Sequence, residues 1–305
     1  MEDFIRDIYG FLESCNLHIH KVGCGYGFDS ISVKPEVDGK SRQILLLGII
    51  ADSPEAASIQ QGEAAEEISR LRSETGHYPL IVTEDRWRRQ NDAMRLRILS
   101  HLEIFSQVYA RNCEIMRIDK ATAQSFLAES HSYADAACRY RYGIFLKRHT
   151  GHNAATDCPP NIIAGCNRQS PGTLVAVATF SNARKWVKGD KTIRSYEWTR
   201  YASLPGIRLS GGMGKVLKTF IKEVQPDDIM TYADLEWSEG DVYAQLGFIL
   251  EGTRPAVTFT IDTIGWSRTA TPSKATDAVD TPPQTRKIFQ NFGSNKYRLK
   301  LTDYQ

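Results

Sequence analysis

Residues 42–50, RQILLLGII, form a short apolar run. A run of this length and character fits a buried strand. Around it the pattern changes period. Residues 1–15 place Phe4, Ile5, Ile8, Phe11 and Leu12 on one helical face. Residues 53–76 read as a second helix, with Ser53 as N-cap, Pro54 in the first turn and Gly76 as the stop. Residues 78–87 read as strand and 88–103 as helix. The order is helix, strand, strand, helix, strand, helix, which is a small α/β unit.

A second unit begins near Asn112. CEIMRI (113–118) reads as strand, and the helix after it takes Asp119 as N-cap. Strands follow at 141–148, 172–183 and 195–204, with a Gly-, Pro- and Asn-rich loop between the first two. Then comes RLSGGMGKVLKTFIKEV (208–224): a strand end, Gly211, Gly212 and Gly214, and a helix over about 212–224. Residues 227–237 read as strand, 240–248 as a short helix ending at Gly247, and 254–262 as strand. Residues 266–285 hold three prolines and no apolar period, and read as a mobile linker or loop. The last segment reads as a strand returning to the core.

The chain has 305 residues, 41% hydrophobic and 24% charged, which suits one large or two ordinary globular domains. A net charge of +2 is too small by itself to argue for nucleic acid. None of the six cysteines forms a CxxC pair, no apolar run approaches ~18 residues, and the first ten residues do not resemble a signal peptide. The expectation is a cytosolic protein with reduced thiols and no membrane partner. Two loose ligand groups, Cys15-His18-His20-Cys24 and His149-His152-Cys158-Cys166, lack zinc-finger spacing. No metal is assigned to either.

The glycine stretch has two readings. Glycines after a strand and before a helix free backbone N–H groups to meet a phosphate at the positive end of a helix dipole. The same pattern also makes a structural turn. It is neither GxxxxGK[ST] nor GxGxxG. Thirty positions on, VYAQLGF puts Tyr243 before a Gly-Phe turn. Together these resemble the GNAT acyltransferase superfamily. The resemblance implies that Gly211, Gly212, Met213, Gly214 and Lys215 hold the pyrophosphate of acetyl-CoA or another acyl-CoA. Leu209 departs from the family's Gln or Arg at the first position of that loop. An ordered series from FLAESHSYADA to KYRLKL, covering residues 109–301, resembles phage- and prophage-associated GNAT-like proteins akin to the Mom-type DNA-modification group. That likeness implies an adenine amino group in DNA as acceptor.

Acyl transfer to an amine needs a proton acceptor, an oxyanion donor and an acid for the departing thiolate. Tyr243 stands where GNAT enzymes carry that acid; otherwise it is a core aromatic. Asp234 ends an apolar strand and reads as base or amine binder, or as a helix cap or salt-bridge partner. Arg200 reads as a phosphate contact or an orienter of Asp234, or as a pair for Glu197. The Mom-like pattern of arginine, acid and tyrosine maps onto Arg200, Asp234 and Tyr243. His131, at a helix end, reads as base, metal ligand or structural residue.

The first hundred residues resemble Vsr-like restriction-endonuclease-fold domains. Asp29 takes the place of the first metal-binding acid, but the second falls in the apolar ILLLG. The expectation is an inactive relic, with Arg86, Arg88, Arg89, Arg95 and Arg97 forming either a DNA-phosphate face or a solvated basic one. The resulting expectation is an α/β chain: a degenerate nuclease-like domain over 1–108 and a GNAT-like mixed sheet with flanking helices over 109–305. The rivals are a non-catalytic DNA-binding or regulatory protein on the same fold and a metal-dependent endonuclease.

Overall fold

A computed structural model describes residues 1–34, 40–133, 135–148, 170–270 and 285–304. The protein is an α/β chain built on mixed sheets with flanking helices. Two compact units divide it: Met1–Leu102 with Ala233–Glu239 and Thr253–Asn295, and Glu103–Tyr232 with Gly240–Gly252 and Lys296–Gln305. The expected boundary near residue 108 lies close to the first crossing. The later segments 233–239 and 253–295 group with the N-terminal residues instead: Ile261 and Phe289 complete that core, and Glu236 and Trp237 meet Arg86 and Arg97.

In the first unit, α1 (Glu2–Ser14) precedes β1 (His18–Gly25), β2 (Phe28–Lys34) and β3 (Arg42–Leu47), each antiparallel to the one before. Helix α2 (Pro54–Thr75) then crosses to β4 (Leu80–Thr83), which lies parallel to β3. The α2 ends are the predicted ones. Ser53 accepts from the Ala56 N–H at 3.2 Å, and Gly76 takes the left-handed conformation at φ 73°. Ile44, Leu45, Leu46 and Leu47 are at most 1% exposed, so the apolar run is buried throughout.

The strand expected over 78–87 stops at Thr83. Helices α3 (Glu84–Arg89) and α4 (Asn91–His101) follow it. The expected linker over 266–285 also differs. Strand β14 (Thr258–Asp262) pairs on one side with β15 (Ser267–Ala270) and on the other with β16 (Arg286–Gln290). The rest of that stretch, 271–284, lies outside the described residues. Ile261 and Phe289 of this sheet join Phe28, Leu45, Ile68 and Ile81 in one core, so the C-terminal strands cover α2.

The arginines of α3 and α4 do not form a phosphate-binding face. Arg86 is 6% exposed and pairs with Glu236 at 2.7 Å. Arg97 lies 3.3 Å over the Trp237 ring, and Arg95 lies over Phe11 and Trp87. Arg88 pairs with Asp7 at 2.9 Å; of the five, Arg89 is the exposed one. Arg268 of β15 closes the cluster on Asp85 and Glu236. Burial opposes charge on Glu236, but Arg268 and Arg86 overcome it and hold the carboxyl well below its usual range.

The second unit holds an eight-stranded sheet. Its path runs β13 (Ile249–Arg254), β17 (Ser294–Lys300), β12 (Asp228–Asp234), β10 (Lys191–Ser203), β8 (Leu174–Phe180), β7 (Tyr140–Leu146), β6 (Cys113–Arg117). A hairpin strand, β9 (Arg184–Lys188), pairs with the start of β10. Helix α5 (Lys120–Ser130) starts at Asp119, whose carboxylate accepts from Thr122 N–H at 2.8 Å. Short parallel strands β5 (Ser106–Tyr109) and β11 (Ile207–Ser210) lead into α6 (Gly212–Val224). Phe220 of α6 stacks on Phe180 of β8, with centroids 3.9 Å apart and planes 3° from parallel. Tyr140, Tyr142 and Tyr196 meet Phe220 edge-on.

Two outcomes test this packing. Phe220→Ala should cost about 3–5 kcal/mol in urea unfolding of the full chain, because it removes the ring at the centre of that cluster. His101 lies within 3.0 Å of the Gln43 carbonyl, and burial pushes its pKa down to about 4. The unfolded chain takes up a proton near pH 6.5, whereas the folded chain resists until about 4. Stability should therefore fall between pH 6.5 and 4 by up to about 3 kcal/mol. His101→Gln should flatten that slope in urea titrations at successive pH values.

Candidate functional site

The second unit's sheet opens where two parallel strands part. Strands β10 and β12 pair at Ser195–Asp228, Tyr196–Ile229 and Glu197–Met230, and the ladder then stops although both strands continue. The β10–β8 ladder is irregular between Trp198 and Arg200. Beyond the last rung, the Thr231 hydroxyl donates to the Trp198 carbonyl at 3.1 Å, so a side chain takes over from the ladder.

The glycine turn follows this opening. Gly211 has φ 77°, which favours glycine, and is the N-cap of α6 with no side-chain cap. The first intrahelical bond runs from Lys215 N–H to Gly211 O at 3.0 Å. The N–H groups of Gly212, Met213 and Gly214 precede it, and none donates to an acceptor among the described residues.

Gly212 is a glycine for a second reason. A Cβ there would meet the Leu209 side chain and the Tyr201 hydroxyl, each at 2.6 Å. Leu209, the departure from the family loop, thus packs on the turn itself. The Lys215 ammonium donates to the carbonyls of Ala110 at 2.9 Å and Cys113 at 2.5 Å, which fastens the helix start to the start of β6.

Tyr243 lies in α7 (Asp241–Gln245), packed against Trp198, Phe248 and Tyr297. Burial pushes its pKa up, while a hydrogen bond with Thr231 opposes that, so the hydroxyl is protonated at neutral pH. Trp198 joins it to the turn: the Trp198 ring also meets Tyr201, whose hydroxyl faces Gly212. At the other end of α7, Leu246 lies 3.3 Å from where a Gly214 Cβ would stand. The glycines and Tyr243 therefore share one neighbourhood, as both the catalytic and the packing readings require.

Arg200 and His131 share another. Arg200 donates to the Thr199 carbonyl at 2.8 Å. Burial lowers its pKa, and Glu197, then Asp135 and Tyr133, oppose the shift. His131 ends α5, and its Nδ1 accepts from the Tyr133 N–H at 3.1 Å. Tyr133 is thus common to both. The Nδ1 of His131 is thus engaged by its own loop.

Asp234 groups with the other unit. Its carboxylate accepts from the Glu236 N–H at 2.9 Å, and its carbonyl accepts from Trp237 and Ser238. These bonds close the turn after β12.

Asp29, in β2, is 8% exposed and pairs with Lys21 at 2.7 Å. Its cross-strand neighbours are Leu46 and Cys24, so β3 brings no second carboxylate to it. Among the described residues, no group of three or more His, Cys, Asp or Glu is placed to hold a metal. Residues 149–169, with His149, His152, Cys158 and Cys166, lie outside them. No described helix is long and apolar enough to cross a membrane.

No family model matches the sequence, and no curated protein matches it. Among solved structures, Eis1 from Mycobacterium abscessus aligns at 15% identity and a TM-score of 0.32, over 54% of this chain and 37% of that one. This chain therefore spans little more than a third of Eis1. A mutant of the toxin AtaT, bound to the C-terminus of the antitoxin AtaR and acetyl-CoA, aligns at 13% identity and a TM-score of 0.23. That alignment covers 59% of this chain and 93% of that one.

Sequence reasoning missed Trp198, Tyr201 and Thr231, which connect the turn to Tyr243. They stand in ordinary strand patterns, and no spacing marks them. Gly212→Ala should destabilise the protein by about 1–3 kcal/mol, because a methyl must displace Leu209 and the Tyr201 hydroxyl. The fall in Tm should be the same whether or not a cofactor is added.

Proposed function

We propose that the second unit is a GNAT-like transferase that moves an acyl group from an acyl-CoA-like donor to an amine. The observation that carries this reading is the N-terminus of α6. Three backbone N–H groups precede its first internal bond, beside a gap between parted strands. Such an end attracts phosphate through its unmet donors and its dipole.

When bound, the thioester supplies the electrophilic acyl carbon. Gly212, Met213 and Gly214 hold pyrophosphate oxygens. Tyr243 keeps its proton at neutral pH and would give it to the departing thiolate, while Thr231 orients the phenol and water takes the proton that the attacking amine loses. Arg200, in the strand that bounds the gap, adds positive charge on the acceptor side. The resemblance to Mom-type proteins extends the reading to a DNA adenine amino group as acceptor. Mass spectrometry of DNA from cells expressing the protein tests that extension.

The donor site is tested by calorimetry with acetyl-CoA. A glutamate at position 213 lies in the first turn of α6, where it favours the helix and repels pyrophosphate. Met213→Glu should keep the wild-type Tm yet weaken binding at least ~10-fold. Tyr243→Phe should bind the donor normally and lose about 10²–10⁴-fold in transfer rate. Absence of wild-type binding would favour the non-catalytic reading.

A further inference from the structure

We propose that the β9–β10 hairpin and the adjoining face of β17 form a docking surface for single-stranded nucleic acid. The surface carries two features that suit a ligand, although Lys191 also donates to the Asp303 carbonyl at 3.0 Å and Arg298 lies 5.8 Å from the centre of the Trp186 ring. The first is an excess of positive charge. Within the hairpin stand Arg184, Lys185, Lys191 and Arg194, near one acid, Asp190. The register sets Lys185 directly opposite Arg194. Like charges facing each other across a ladder weaken a hairpin. Arg194 has Asp227 to offset it at 3.4 Å, but no described acid pairs with Arg184 or Lys185.

The second feature is exposed aromatic and apolar surface within that charge. Trp186 is 41% exposed and Val187 78%. Trp186 pairs with Ile193 across the ladder, and both line a cavity of about 200 Å³ with Lys296, Arg298, Lys300 and Tyr304. The acids of this cavity are already used. Asp228 accepts from Ser195 and from Arg298, at 2.8 Å, and also from Tyr304. Glu251 accepts from Arg298 at 2.7 Å and Lys296 at 2.6 Å. Among the described residues, Lys300 meets the Tyr304 ring and a carbonyl at 3.5 Å. Among the described lining residues, the cavity therefore offers an aromatic face and a cation, and both its acids are paired.

A base stacked on Trp186 with its phosphates on Arg184, Lys191 and Lys300 satisfies both features. The excess charge runs along the hairpin beyond the cavity, which suits a strand rather than a mononucleotide. Duplex bases present no open face to stack, so a single strand is the partner. The proposal does not depend on acyl transfer, and its test needs no donor.

The experiment is fluorescence anisotropy of the full chain with a labelled 15-nucleotide single strand, its duplex and a labelled mononucleotide, at several salt concentrations. The expected result is salt-dependent single-strand binding that Trp186→Ala weakens about tenfold or more. The double variant Arg184→Glu/Lys191→Glu, both at exposed positions, should weaken it further. It should also reduce the log–log salt slope by about 0.7 for each phosphate that is no longer neutralised. Should Trp186→Ala fail to fold, the charge variant decides alone. No wild-type binding at low salt overturns the proposal. So do variants that bind as wild type, duplex binding as tight as single-strand binding, or a mononucleotide that binds as tightly as the strand.

Discussion

Everything at the candidate site depends on where α6 is held, and the Phe220–Phe180 stack holds it. The two rings lie flat against each other with tyrosines edge-on around them. This fixes the helix on β8 by a contact that tolerates little sliding. The helix N-terminus is then set one end of a rigid rod away. Lys215 ties that end down through two carbonyls, so the three unbonded N–H groups keep one direction without help from a ligand.

The same geometry explains the parted strands. A parallel ladder that ran the full length of β10 and β12 would consume the backbone groups on both sides. Pairing ends at Glu197–Met230, and Trp198 then turns its ring among Tyr201, Tyr243 and Phe248. The aromatic residues fill the widening space on one side, and Thr231 satisfies the orphan carbonyl. The gap is therefore a supported feature rather than a packing fault.

Much of this is legible in the sequence, and the limits are physical. The α2 caps, the buried run at 44–47, the Asp119 cap and the glycine-to-helix step all rest on local rules, and these give an element's type and ends. Pairing that is distant in sequence leaves no local trace. Arg86 and Arg97 resemble a basic surface in sequence because the acid that neutralises Arg86, Glu236, lies 150 residues away. Residues 266–270 read as structureless because their strand is specified by partners on β14 rather than by their own period. The contacts of Asp234 with its own turn and of Lys215 with the Ala110 and Cys113 carbonyls likewise leave no mark in the residue types.

The division of the chain also has a consequence in time. The first unit's core needs Ile261 and Phe289, yet residues 103–232 are made in between. At bacterial-like synthesis rates of about 5–20 residues per second, the gap from Leu102 to Thr253 lasts roughly 8–30 s. Throughout it, the α2 face that the C-terminal strands later cover stays bare on the ribosome. Newly made chains thus carry a half-covered apolar layer that the finished protein buries.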